Sequence, residues 1–450
     1  MVPITFCAVG GGNEIGRSSY FLQVENHKML LDCGIKVNAP LHYPDFDSLV
    51  YAGFLDGLWE LDEVFLSHAH MDHSGAIPLL PTKGYAGPIY ASKPTLSLAS
   101  LMLQDAARHE GFSSSEVMAA FSQASPLPMN VPLQRKNLRA TLFPAGHILG
   151  AAMLYLQTPA GNILFTGDFS DLDQLTVPGA RLPRGLDVDF LIMENTYGGR
   201  SPDAHDNPGL PLYSFFEGVQ QVLDDGGNVL IPSFSIGRAQ EVALLLKSAV
   251  ENQFLSFPPT KSKAGSSIFI DGLAIPVSEV YESFGVPVWD SLVRKLPRGQ
   301  GVENLTSSII LASSGMLMPG TRSWRHAKAL LSDPKNAIFF PGFLAKDSQG
   351  FQLLQAARAH DEVFRFGSDL VPLRARVDQV PLSAHVKHEG IVQFVSRLHP
   401  STVVFVHGTD DAQRENILRW ELKRKMEGEI EVIHAMNEVP VFMGRKLVAA

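Results

Sequence analysis

Four side chains able to bind a metal fall within six residues at His68-Ala-His70-Met-Asp72-His73. They follow an apolar run, 62–67, that reads as a strand. At the end of an extended strand, alternate residues such as His68 and His70 point the same way. Asp72 and His73 then lie on the next turn and can face a second point. Mixed imidazole and carboxylate donors suit borderline ions such as Zn²⁺. Elsewhere the chain repeats one pattern, a buried strand ending on a single polar residue. The examples are Leu30-Leu31-Asp32, Phe143 to His147, Leu164 to Asp168, Leu191 to Glu194 and Val403 to His407. Charged groups at the ends of buried strands are costly unless paired or metal-bound. Each alone also reads as a cap or turn residue; five of them beside His68–His73 point to a dinuclear metal site.

Three further loops carry hydroxyls. Ser233-Phe234-Ser235-Ile236-Gly237-Arg238 joins a buried strand to a helix, a setting in which free N–H groups attract anions. Arg238 can add a charge-assisted contact. Ser313-Ser314-Gly315-Met316 has the same strand-to-loop placement, and Ser383 lies two residues before His385. All three are candidate phosphate contacts, and ordinary N-capping by Ser is the competing reading. Strand C-termini of one open sheet would bring such loops to a shared cleft. Gly11 to Gly16-Arg17-Ser18 nearly matches a nucleotide P-loop, but a strand-like run follows it where a helix is required. A tight turn between two strands is the expectation there.

The elements that must position these groups change rhythm along the chain. Short strands are expected at 4–9, 19–24, 28–32, 62–67, 89–91, 141–144, 151–157 and 162–166, with helix over 94–125, in an antiparallel-rich α/β unit. From about residue 201, strand–loop–helix units take over. Strands are expected at 228–232, 267–271, 307–312 and 337–341, with helices at 237–250, 275–284 and 321–331. Continuous apolar strands alternating with helices imply a mostly parallel, doubly wound sheet. Segments 256–266 and 297–306 read as loops. After His385 come a helix at 389–398, a buried strand at 402–407 and a basic helix at 412–426.

The whole chain of 450 residues has a formal net charge of −9, 45% hydrophobic and 18% charged residues, and 2 Cys. That apolar fraction excludes general disorder. No run approaches the roughly 18 residues of a membrane span, and no signal peptide is visible. Cys7 and Cys33 sit in apolar runs as buried thiols, and they cannot form a disulfide framework. A cytoplasmic protein with no membrane partner is expected. The acidic balance argues against a basic nucleic-acid coat.

His68–His73 resembles the HxHxDH signature of the metallo-β-lactamase fold, and Asp32, His147 and Asp168 fall where that fold places its other motifs. With Met193-Glu194-Asn195-Thr196-Tyr197-Gly198, Pro232 to Glu241, Ser313 to Met316 and Leu382 to His385, nearly the whole chain resembles the β-CASP nucleases, which include ribonuclease J and the endonuclease of mRNA 3′-end processing. The resemblance implies an α/β chain, an αββα sandwich with an inserted, Rossmann-like parallel-sheet β-CASP domain. It implies boundaries of 1–200 and 381–450 for the two parts of the metallo-β-lactamase domain and 201–380 for the insertion. It implies two Zn²⁺ per chain. One would be held by His68, His70 and His147, the other by Asp72, His73 and His407, with Asp168 bridging. Asp32 would orient the ligands from behind. His385 would be the general acid and Glu194 its orienting partner. Two Zn²⁺ would bring the formal −9 to about −5.

The activity implied is hydrolysis of RNA phosphodiesters, by endonuclease or 5′-exonuclease action. By the resemblance, His407 at this position implies single-stranded RNA more than DNA as the substrate. A homodimer is an open assembly state. Arg358, Arg365, Arg374, Arg376 and Lys387 could form a positive rim, and a solvated surface explains them equally well. Two other readings stay open: a thioester- or lactone-type small-molecule hydrolase on the same fold, and a catalytically silent RNA-processing subunit. The chain departs from the family pattern at two places. Val386-Lys387-His388 stands where Ala-Asp usually follows the His, and Thr409-Asp410-Asp411 stands where a Glu is common.

Overall fold

The computed structural model describes residues 4–36, 42–107, 109–199, 211–259, 265–409 and 411–444. It falls into two compact units, Met1–Asp203 with Ala384–Ala450, and Ala204–Ser383. The expected division between residues 200 and 201 lies outside the described residues, as do 260–264 of the expected 256–266 loop and Asp410.

In the first unit, strict alternation builds two cores from one strand. Phe6 and Ala8 of Ile4–Gly10 face one way, Cys7 and Val9 the other. The first set joins Leu22, Met29 and Leu31 against Leu142, Leu154, Ile163, Phe165 and Val404 of a second sheet. The second set joins Phe21, Leu30, Val64 and Ile89 against helical Leu80, Leu103 and Val117. Each side chain of this size, fully buried, contributes roughly 1.5–3 kcal/mol. Both cysteines are buried free thiols.

The first sheet runs Pro440–Met443, Ile4–Gly10, Ser19–Val24, His27–Leu31, Glu63–Phe65, Ile89–Ala91, Ala124–Pro126 in spatial order. The second runs Glu431–His434, Thr402–Gly408, Phe190–Asn195, Gly161–Phe165, Ala152–Thr158, Leu138–Pro144, Leu133–Arg135. On the outer side of the second sheet, helix His388–Leu398 packs on helix Ala412–Lys425, which packs on Glu431–His434. The αββα sandwich implied by the resemblance is therefore present.

Two local expectations differ from the structure. The first unit is less antiparallel than expected, because Met29 pairs in parallel with Glu63, Ile163 with Phe190, and Phe190 with Thr402. Those strands are separated by long connections, which parallel pairing requires. The expected single helix over 94–125 is two, Lys93–Ala106 and Ser114–Phe121, followed by strand Ala124–Pro126. A capping box restarts the second helix: Ser113 Oγ accepts from Glu116 N (3.3 Å) and Glu116 Oε2 accepts from Ser113 N (2.6 Å).

In the second unit six strands form one sheet, Val293–Lys295, Ile268–Asp271, Ile309–Ala312, Val229–Pro232, Ala337–Pro341, Arg376–Val380 in order. Every pairing in it is parallel. Its central strands are buried along their whole length, as strands covered on both faces must be. Helices Arg238–Glu251, Ala274–Ser283 and Arg322–Leu330 cross between them. The hairpin Val363–Phe366 with Asp369–Pro372 was not expected from the sequence rhythm.

Candidate metal centre

In the first unit, the polar residues at the strand ends converge. Asp32 directly follows strand His27–Leu31 and is fully buried in a left-handed conformation (φ 58°). Its Oδ1 accepts from Ser67 N (2.6 Å) and its Oδ2 from Ser67 Oγ (2.7 Å). The same Oδ2 lies 2.7 Å from His73 Nδ1. Ser67 Oγ is also 3.0 Å from His68 Nδ1. One carboxylate thus fixes two imidazoles, each with Nε2 directed away from it. The Asp32 turn lies directly under the helix that carries His73. A methyl group on Gly34 would stand 1.8 Å from Asp72 O.

Three imidazole nitrogens crowd one point. His70 Nδ1 is 3.1 Å from His68 Nε2 and 3.1 Å from His147 Nε2. His147 is held from behind by Nδ1 donating to Ala384 O (2.9 Å). A second group combines Asp72, His73 and His407, with His407 Nε2 3.4 Å from Asp72 Oδ2. His407 is itself placed by its N–H donating to Gly11 O (2.7 Å), and Thr196 Oγ1 lies 3.1 Å from its Nδ1. Asp168 stands between the groups, its Oδ2 3.3 Å from His73 Nε2, 3.7 Å from His68 Nε2 and 3.9 Å from His147 Nε2. Asp168 Oδ1 is buried and makes no hydrogen bond, and it lies 3.3 Å from His407 Nδ1. Clustered lone pairs and an unsatisfied buried carboxylate oxygen fit divalent cations, which need such acceptors and supply no competing donor.

The charges shift one another. Burial alone would raise Asp168, but His407, His73 and His385 bring it well below the usual carboxylate range. Burial would likewise raise Asp72, and His73 and His407 lower it. Burial, then the neighbouring imidazoles His73 for one and His385 for the other, push His68 and His147 well below the ordinary His value. Burial would also lower His73, yet Asp168, Asp32 and Asp72 raise it.

His385 lies beside this cluster, its ring centroid 4.6 Å from that of His147. Its Nδ1 is 2.9 Å from Glu194 Oε2. Glu194 is the penultimate residue of strand Phe190–Asn195, is 1% exposed, and accepts from Phe169 N through Oε1 (2.7 Å). Burial opposes a charged His385, but Glu194 and Asp168 outweigh it, and the imidazole is pushed up to about 9. The Glu194 carboxylate thus favours the charged form of this imidazole.

In the second unit, the hydroxyl loops are engaged by their own backbone. Ser233 is buried and donates to Ile231 O (3.2 Å). The helix start at Arg238 is capped by Gln240 Oε1, which accepts from Gly237 N (2.9 Å), while Gln240 Nε2 donates to Ser235 O (3.0 Å). Ser313 Oγ accepts from Leu273 N (3.2 Å), and Ser314 Oγ from Met318 N (3.0 Å). Gly315 touches the other loop, since a methyl there would stand 3.0 Å from Phe234 N. Ser383 is half-buried. Arg358, Arg365 and Arg374 are exposed, as is Lys387; Arg376 bonds Asp378 (2.7 Å) and lies over Phe339. The segment Gly11 to Ser18 joins antiparallel strands, as expected, and leads into no helix.

Sequence reasoning missed Ser67, Thr196, Gly11 and the Ala384 carbonyl as supports. Ser67 is adjacent to His68, and Gly11, Thr196 and Ala384 lie within segments the sequence singles out for other reasons. Among the described residues no helix is long and apolar enough to cross a membrane.

Three family models match the chain. Residues 12–171 match the metallo-beta-lactamase superfamily, 239–353 the Beta-Casp domain, and 370–432 a Zn-dependent metallo-hydrolase RNA specificity domain. A Methanocaldococcus jannaschii protein named "Probable RNase MJ4" is 28% identical, over 92% of this chain and 95% of its own length. The Arabidopsis thaliana cleavage and polyadenylation specificity factor subunit 3-II is 29% identical, over 96% of this chain and 71% of its own. Transcription termination factor FttA of Thermococcus kodakarensis is 30% identical, over 90% of this chain and 66% of its own. A crystal structure of a protein of unknown function from Enterococcus faecalis shares the fold at a TM-score of 0.59 and 15% identity, covering 98% of this chain and all of the other.

Proposed function

Since this chain belongs to the β-CASP branch of the metallo-β-lactamase superfamily, we propose that it is a cytoplasmic, zinc-dependent ribonuclease that hydrolyses single-stranded RNA. The observation that carries the reading is the convergence of His68, His70, His147, Asp72, His73 and His407 on Asp168, beside the His385–Glu194 pair. His68, His70 and His147 would hold one Zn²⁺, Asp72, His73 and His407 the other, with Asp168 shared. When bound, the ions polarise the scissile phosphate and lower the pKa of water to about 7.

The chain's own residues do the rest. Asp32 keeps Nε2 of His68 and His73 directed at the centre, directly or through Ser67. As the oxygen of a water that has already lost one proton to solvent bonds to phosphorus and the P–O bond to the leaving oxygen breaks, His385 gives its proton to that leaving oxygen. Glu194 keeps His385 charged until then and fixes the ring through Nδ1. The loops at Ser233–Arg238, Ser313–Gly315 and Ser383 would contact backbone phosphates.

RNA labelled at the 5′ or the 3′ end, carrying 5′-phosphate or 5′-hydroxyl, tests the reading. Cleavage that stops on chelation and returns with Zn²⁺ supports it. Product lengths separate internal cutting from 5′ trimming. Full zinc loading with no cleavage favours the silent RNA-processing subunit.

A further inference from the structure

Exposed Lys387 stands two residues after His385. The next residue, His388, is buried at 8% exposure at the start of helix His388–Leu398. Its Nδ1 accepts from Gly199 N (3.1 Å), and its Nε2 lies 2.9 Å from Glu421 Oε2 on helix Ala412–Lys425. These bonds select one neutral tautomer, with the proton on Nε2 and the lone pair on Nδ1.

Residues 196–199 form a short segment just after Glu194-Asn195. That segment reaches two residues of the proposed chemistry. Thr196 Oγ1 is 3.1 Å from His407 Nδ1, and the Tyr197 ring centroid is 6.2 Å from that of His385. The segment also lies directly on helix Ala412–Lys425. A methyl on Gly199 (φ 68°) would stand 2.1 Å from Arg414 O, and one on Gly198 2.9 Å from Leu418 Cδ2. The glycines allow the close approach, and His388 accepts the Gly199 N–H.

We propose that His388 and Glu421 form a clamp on residues 196–199, making them positioning residues for His407 and His385. Glu421 orients the His388 ring, His388 fixes Gly199, and the fixed segment presents Thr196 and Tyr197. The kinetic part of this inference rests on the ribonuclease reading; the structural part does not.

The test uses the full chain with His388→Ala, His388→Asn and Glu421→Ala. Asn offers an amide oxygen close to the place of Nδ1. Three quantities are read: amide exchange at Gly199, Zn²⁺ affinity by chelator competition, and kcat against KM for RNA. His388→Ala is expected to speed exchange, weaken Zn²⁺ and lower kcat by about 10–100-fold at little-changed KM, the range for residues that orient ligands. His388→Asn should restore most of each, and Glu421→Ala should fall between. Wild-type exchange at Gly199 in both His388→Ala and Glu421→Ala overturns the clamp. So does accelerated exchange with unchanged kcat and Zn²⁺ affinity. If His388→Ala does not fold, Glu421→Ala with His388→Asn decides alone. A wild-type chain that cuts no RNA defeats the ribonuclease reading, while exchange and Zn²⁺ affinity still decide the clamp.

Discussion

Both units end their buried strands on polar residues, but the two sets are satisfied differently. In the second unit the strand-end groups are mostly hydroxyls. Ser233 donates to a backbone carbonyl, and Ser313 and Ser314 accept backbone N–H groups. A hydroxyl both donates and accepts, so nearby backbone can satisfy it. In the first unit the strand-end groups are imidazoles and carboxylates whose outward N–H groups are already taken, as His73 is by Asp32 and His147 by Ala384 O. What remains facing inward is lone pairs, 3.1 Å apart at His68, His70 and His147, and an unsatisfied Asp168 oxygen. A fold can complete the first kind of group by itself. The second kind calls for a cation.

That contrast can be broken at several points. The largest effect is expected for Asp168→Ala, which removes the carboxylate shared by both donor groups. Zn²⁺ content by elemental analysis should fall, and RNA cleavage should drop by more than about 100-fold, beyond the range for residues that only orient ligands. His385→Ala should lower kcat by about 10²–10⁴-fold, the usual contribution of a general acid, with Zn²⁺ content unchanged. Loss of Zn²⁺ in that variant would move His385 from proton donor to ligand. Asp32→Asn should weaken Zn²⁺ by about 10–100-fold, because it disturbs the bonds that aim His68 and His73.

Glu194→Gln tests the charge on His385. The imidazole is raised to about 9, so it is protonated below that pH and loses its proton as pH rises through it. Activity that needs the proton falls on the alkaline side. Removing the Glu194 anion removes the leading influence raising His385, so the alkaline limb of the pH–kcat profile should shift to lower pH. A limb that stays in place would detach it from His385. Ser314→Ala should have the smallest effect, about 1 kcal/mol in thermal stability from one lost cap-like bond, with kcat and KM within a few fold. A large rise in KM with an unchanged melting temperature would show that this hydroxyl serves RNA and not the fold.

Much of the framework was legible because its causes are local. The uninterrupted apolar runs at 6–9 and 229–231 mark strands buried on both faces. The helix restart at Ser113 was also written locally, as Ser113 with Glu116, and was overlooked. The hairpin at 363–372 is short and half exposed, so its pattern is faint. The parallel pairing of 161–165 with 190–195 depends on which strand fills a neighbouring slot in a sheet, and no run of adjacent residues encodes that.

The same division holds at the centre. Residue type and spacing by themselves determined which groups can bind metal, because His, Asp and Glu at strand ends carry their chemistry wherever the chain goes. Only tertiary structure decided what holds each one. His147 is fixed by a carbonyl 237 residues away, His407 by Gly11 and Thr196, and Gly199 by a histidine that Glu421 orients. Such bonds join atoms brought together by packing of the two sheets and their helices. Their directions, and the unsatisfied oxygen of Asp168, follow from that packing and from no local pattern.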